Sequence, residues 1–170
     1  MERWDTLWDG GWTFCFDDGA FKPSTDSFLL GSFPPLRRGW RVCDLGSGTG
    51  LLGLLLLARE PSLTVTGLEL SPAACALAHR TAAANGLTDR LITLPCDLRD
   101  RRQLPSAGRF DLAVSNPPYF PAGGGKTAAA AAFTVPSWHA PWSSCVRRQR
   151  TCCAAAGSSV SCTARSGWGS

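Results

Sequence analysis

Seven residues, Asp44-Leu45-Gly46-Ser47-Gly48-Thr49-Gly50, constrain what this chain can fold into more than any others. Trp40-Arg41-Val42-Cys43-Asp44-Leu45 reads as a short buried strand that runs straight into the glycines. Beyond them lies Leu51-Leu52-Gly53-Leu54-Leu55-Leu56-Leu57-Ala58, an apolar run ending in Arg59-Glu60-Pro61. Alone that run fits a strand, but counted from Thr49 and Gly50 it reaches helical length, with Pro61 as the stop. It falls far short of the roughly 20 apolar residues that span a bilayer, so no membrane segment is expected. Strand, glycine turn and helix in this order build a nucleotide-type cofactor site, because glycine lets the backbone turn tightly and approach a ligand with no Cβ between. The spacing is G-x-G-x-G, not the G-x-G-x-x-G of a dinucleotide site, and no Gly-Lys-Ser/Thr follows to hold a phosphate. Asp44 ahead of the loop would repel a pyrophosphate and suits a cationic amino group, such as that of a methionine moiety. By itself the loop is equally an ordinary strand-to-helix turn.

The segments that follow narrow the choice. Leu63 to Glu69 reads as a second strand with a carboxylate at its end, about 20 residues after the loop, where a ribose diol is usually gripped. A solvated strand end is the plainer reading of Glu69. Ser71-Pro72 opens a helix by N-cap and N1 preference, and Asn85-Gly86 closes it. His79, inside that helix, reads as a surface or boundary residue and not as a catalyst. Leu91 to Asp97 is a third strand, with Asp97 placed to accept from an adenine amino group or to cap a turn. Arg109 to Ser115 is a fourth, delivering Asn116-Pro117-Pro118-Tyr119 at its carboxyl end. In an open α/β sheet, ligands bind outside the carboxyl ends of the strands, and all four segments put their polar residues there.

The tetrapeptide has its own chemistry. An asparagine side chain both accepts and donates, and the two prolines carry no N–H and fix φ, holding the Pro117 carbonyl rigidly. An exocyclic amine or carboxamide can donate one hydrogen bond to Asn116 and one to that carbonyl, which draws the nitrogen lone pair out of conjugation. Tyr119 can stack on a planar substrate. No strong base is required, since the gain comes from orientation and from hydrogen bonds that strengthen as charge develops. The alternative is a Pro-Pro turn that merely closes a strand.

Taken together, Asp44 to Gly50 and Asn116 to Tyr119 resemble the Rossmann-fold, class I S-adenosylmethionine-dependent methyltransferases that modify exocyclic or amide nitrogens. Thr25-Asp26-Ser27-Phe28-Leu29-Leu30-Gly31 is similar to the Thr-Asp-x-x-Leu-Leu segment of the bacterial valine-tRNA adenine-N6 methyltransferase group, within the methyltransferase small domain. Phe120 after the tetrapeptide points the same way, whereas Ser24 stands where that group usually has Gly. The resemblance covers about Phe21 to Lys126. It implies a doubly wound α/β sheet with S-adenosylmethionine as cofactor, held by Asp44, Gly46, Gly48, Gly50, Glu69 and Asp97. Asn116, Pro117, Pro118 and Tyr119 would then be the catalytic set, tRNA the substrate, and the protein a cytoplasmic monomer without metal. The methyltransferase of release-factor glutamine shares both motifs but carries a helical domain for which the segment before Arg41 leaves no room. A cofactor-binding fragment without turnover is a third possibility.

Residues 1–20 are expected to form an N-terminal segment, 21–126 the methyltransferase domain and 127–170 an irregular tail. The start, Met1-Glu2-Arg3-Trp4-Asp5, has no apolar stretch of the signal-peptide kind. Cys15, Cys43, Cys75 and Cys96 fall among core elements, as buried free thiols do. Cys145, Cys152, Cys153 and Cys162 show no C-x-x-C spacing, which argues against zinc. The formal charge of +4 arises wholly from Arg147, Arg148, Arg150 and Arg165, because no acid occurs from Thr134 onward. That tail lacks strand or helix periodicity, so the sheet is expected to end after its fourth strand, leaving an apolar edge and a poorly stable, inactive chain. Overlapping-codon reading of the tail permits a helix end, a Gly-Gly turn and a strand, which would place a one- or two-base slip between Gly123 and Thr134. The alternative is a genuine disordered tail.

Overall fold

The computed structural model describes residues 1–18, 22–23, 25–106 and 108–116, together with the backbone of 150–155 and 159–164. The central elements follow the sequence closely. Strand β3 (Arg41–Leu45) leads through the glycines into helix α2 (Leu51–Arg59) and then strand β4 (Thr64–Glu69). Helix α3 (Pro72–Ala84) starts where the sequence puts it: the Ser71 hydroxyl accepts from the Ala74 N–H at 3.3 Å, and Pro72 fills the first turn, where an N–H has no partner to lose. Strands β5 (Leu91–Pro95) and β6 (Leu112–Ser115) complete the set read from the sequence. Ahead of them stand a hairpin, β1 (Glu2–Thr6) and β2 (Thr13–Asp17), and helix α1 (Thr25–Ser32).

The sheet runs β5-β4-β3-β6, with every neighbouring pair parallel. Chain order reverses beside β3: β4 and β5 extend to one side and β6 to the other. Such a reversal opens a crevice between the carboxyl ends of the two diverging strands. Here those ends carry the glycine loop and Asn116.

The sheet does not stop at β6, where the sequence reading ends it. Strand β7 (Arg150–Ala155) joins β6 in parallel, pairing Val114 with Cys152, and β8 (Ser159–Ala164) closes antiparallel on β7. The physical reason is the open ladder of β6, whose backbone groups template any extended neighbour, while Thr, Val and Cys in these two segments tolerate a strand. The codon slip considered between Gly123 and Thr134 lies outside the described residues, as do Pro117, Pro118 and Tyr119.

Alternation along the strands divides the core between two faces. Val42, Leu112 and Val114 pack under α2 with Leu54, Leu56, Leu57 and Leu63, all fully buried. Cys43, Leu45, Leu68, Cys96, Phe110 and Ala113 form the opposite face. Cys15, Cys43, Cys75 and Cys96 are buried free thiols, as expected. Helix α2 lies tight on the sheet because of Gly53: a Cβ there would come within 2.8 Å of Leu91 and 2.9 Å of Val65. No described helix is long and apolar enough to cross a membrane.

Candidate functional site

The loop is built on left-handed backbone. Gly46, Gly48 and Gly50 have φ of 69°, 55° and 79°, values that side-chain-bearing residues rarely adopt. A Cβ at Gly46 or Gly48 would meet nothing within 4 Å, so the loop presents bare backbone to open space. Its underside is tethered to the end of β4. The Gly46 N–H donates to the Leu68 carbonyl at 2.8 Å, and the Gly48 N–H donates to Glu69 Oε2 at 2.8 Å. The other Glu69 oxygen accepts the Ser71 N–H at 2.8 Å, so one carboxylate links the glycine loop to the start of α3.

Asp44 lies beneath the loop at 1% exposure, and neither carboxylate oxygen has a hydrogen-bond partner among the described residues. Burial raises its pKa first and the Glu69 carboxylate second, to about 7; the Gly53 N–H pulls the other way without forming a hydrogen bond to it. A buried, unpartnered carboxylate is costly to a fold and is characteristic of a site awaiting a positive charge. Two hydroxyls share this condition, Ser47 Oγ and Thr93 Oγ1. Both lie close to Gly67: a Cβ on that residue would stand 2.4 Å from Ser47 Oγ and 3.2 Å from Thr93 Oγ1. A glycine inside a strand signals such a close approach and was open to reading from the sequence.

Asp97 occupies the turn after β5. Its Oδ1 accepts from the Arg99 N–H at 2.9 Å, and its two oxygens accept from the Arg99 guanidinium at 2.8 and 2.7 Å. These bonds hold its carboxyl down at about 2. Of the two roles the sequence left open, turn capping is the one its geometry displays. His79 is exposed, one ring nitrogen 2.8 Å from the Thr93 carbonyl, linking α3 to β5.

Across the crevice, Ser115 Oγ donates to the Leu45 carbonyl at 2.8 Å, buried between the end of β6 and the last residue before the glycines. Asn116 Nδ2 donates to Ser27 Oγ at 2.8 Å, bringing α1 to the same end of the sheet. The structure thus gathers Asp44, the three glycines, Glu69 and Asn116 at one end of the sheet, with Asp97 at the end of β5. Sequence reasoning missed Ser27, Ser47, Thr93 and Ser115. Signals existed for Ser27, within the Thr25–Gly31 segment, for Ser47, inside the glycine loop, and for Ser115, next to Asn116; Thr93 is a hydroxyl with no local pattern to mark it. Among the described residues no cluster of His, Cys, Asp and Glu could hold a metal ion.

Comparisons with known proteins show what the chain is similar to. The tRNA1(Val) (adenine(37)-N6)-methyltransferase of Dickeya chrysanthemi (strain Ech1591) is 41% identical over 120 residues, which is 67% of this chain and 47% of that protein. The protein of the same name from Serratia proteamaculans (strain 568) is 39% identical over 117 residues, covering 65% and 45%. The chain therefore spans about half the length of the curated relatives it matches. Among solved structures, geranyl diphosphate C-methyltransferase from Streptomyces coelicolor A3(2), in complex with Mg2+, geranyl-S-thiolodiphosphate and S-adenosyl-L-homocysteine, superposes with a TM-score of 0.59. At 16% identity over 75% of this chain and 42% of that one, the likeness is one of fold. The fold is accordingly the Rossmann-like one of the class I methyltransferases. Within that class the model of the methyltransferase small domain matches residues 14–137, and the chain belongs to this family.

Proposed function

We propose that this chain is the cofactor-binding portion, with the adjoining substrate motif, of an S-adenosylmethionine-dependent methyltransferase that acts on an exocyclic adenine N6 amine in tRNA. The observation that carries the reading is the 2.8 Å bond from Ser115 to the Leu45 carbonyl, which sets the glycine loop and Asn116 on the two sides of one crevice. The names of the curated relatives support the choice of tRNA adenine.

S-adenosylmethionine suits the residues present. Its cationic amino group answers the unpartnered Asp44 carboxylate, and the bare backbone at Gly46 and Gly48 leaves room for a close approach. Gly50 closes the loop as the N-cap of α2. Glu69 is assigned to the ribose through the remaining lone pairs of its two oxygens, and Asp97, kept ionised by Arg99, to the cofactor's adenine. When bound, the cofactor supplies an electrophilic methyl group. Asn116, with the Pro117 carbonyl, orients the substrate amine by two accepted hydrogen bonds, Pro118 stiffens the turn, and Tyr119 stacks on the base.

The test is transfer of labelled methyl groups from S-adenosylmethionine to bulk tRNA and to protein, with cofactor affinity measured alongside. The inactive chain expected above rested on a sheet that ends at β6; with β7 paired to that strand, label in tRNA adenine is expected, and Asn116→Ala should reduce it by about 100-fold while leaving cofactor affinity unchanged. Label in protein glutamine instead would replace the substrate class. Binding without transfer to either would reduce the chain to a cofactor-binding fragment.

A further inference from the structure

Consecutive residues at the end of β6 are tied in two directions. Ser115 is bonded to the carbonyl before the glycine loop, and Asn116 to the third residue of α1, 89 positions earlier in the chain. Helix α1 is itself braced. The Arg59 guanidinium at the end of α2 donates to the Gly31 carbonyl at 2.7 Å and to the Pro34 carbonyl at 3.1 Å, answering backbone acceptors at and beyond the end of α1. Gly31 lets the two helices close, since a Cβ there would lie 3.0 Å from Leu55 Cβ. Ser27 therefore stands on an element that is fixed to α2, the helix that grows out of the glycine loop.

We infer that Ser27 is a positioning residue for Asn116. This role presupposes the function proposed above. A primary amide has two chemically different ends on a soft terminal torsion, so its position alone does not decide which end faces the substrate. A hydrogen bond from Nδ2 to a fixed hydroxyl decides it, turning Oδ1 away from Ser27. Transfer to an amine depends on that choice, because the amine needs an acceptor there and a flipped amide would present a second donor.

The experiment uses the full chain, labelled with 15N, as wild type, Ser27→Ala and Ser27→Thr, with the Asn116 side-chain NH2 pair assigned by its loss in Asn116→Asp. Ser27→Ala is expected to shift that pair and speed its exchange with water about fivefold. Thermal stability and S-adenosylmethionine affinity should stay at wild-type values. For methyl transfer to tRNA, kcat should fall about tenfold with KM unchanged, and Ser27→Thr should restore both readouts. An NH2 pair untouched by Ser27→Ala would overturn the inference, as would a mobile pair with unchanged kcat, or a Thr variant that behaves like Ala. A wild-type chain that transfers no methyl group at all would overturn the function itself. The NH2 pair would then decide separately whether Ser27 holds Asn116.

Discussion

Asp44 ties stability to pH through its burial, and under the proposed function the same carboxylate meets the cofactor's amino group. Its folded pKa of about 7 stands above the ordinary 3.8, so the folded chain holds this proton more tightly than the unfolded one. Stability from this group is therefore greatest at low pH and is lost as pH rises from about 4 through about 7, a change on the order of 4 kcal/mol at most. Asp44→Asn should flatten that profile in urea unfolding, raising stability at pH 8 and changing little at pH 4. A cation beside Asp44 favours the ionised form, so S-adenosylmethionine affinity should increase from pH 5 to pH 8 with uptake of a proton by the buffer, measurable by calorimetry in buffers of different ionisation enthalpy. At Gly67 the constraint is steric. Gly67→Ala puts its methyl 2.7 Å from Ser47 Cβ, a clash that no rotation of the serine side chain relieves, and should cost about 1–3 kcal/mol by denaturant titration. Adding Ser47→Gly should recover part of that loss.

At the scale of elements, a side chain that the sequence reading assigned to another task helps to hold the hairpin. Asn85 reads as a helix terminator, and it does close α3, with its N–H donating to the Ala83 carbonyl. Its amide also accepts the Thr13 N–H at 2.9 Å and donates to the carbonyls of Thr13 and Thr81, both at 2.7 Å. Together with the bond from the Cys15 N–H to Thr81 Oγ1 at 3.0 Å, this docks β2 on α3. Asn85→Ala should cost about 1–3 kcal/mol and should deprotect the amides of β1 and β2 before those of β3 in hydrogen exchange. The sequence made α3 legible because its limits are local: Ser71-Pro72 opens it and Asn85-Gly86 ends it. The hairpin was not legible. Every residue of β1 is exposed, so no apolar alternation marks it, and what holds β2 comes from residues far along the chain. The same contrast runs through the site. Glycine spacing and Asn116 are visible as a string, whereas the bonds through Ser27 and Ser115 exist only once the sheet has formed.

For the whole molecule the decisive feature is the order of the sheet. Strands β3, β4 and β5 follow one another through single helices, and β6 lies on the other side of β3. With β7 paired to it, β6 has neighbours on both sides, and the apolar edge expected from the sequence is covered. Deleting residues 150–170 should uncover that edge and promote association, to be followed by light scattering at increasing protein concentration. The parallel pairing of β6 with β7 also joins Ser115 to Cys153 across a long stretch of chain. Contacts made over short separations form early, and those that close a long loop form late. During refolding, then, β6 waits bare for a partner that arrives by slow intramolecular search, while other chains compete for it by collision. The first process is independent of concentration and the second is not, so dilution becomes a kinetic variable: the yield of native protein is decided by the race between them.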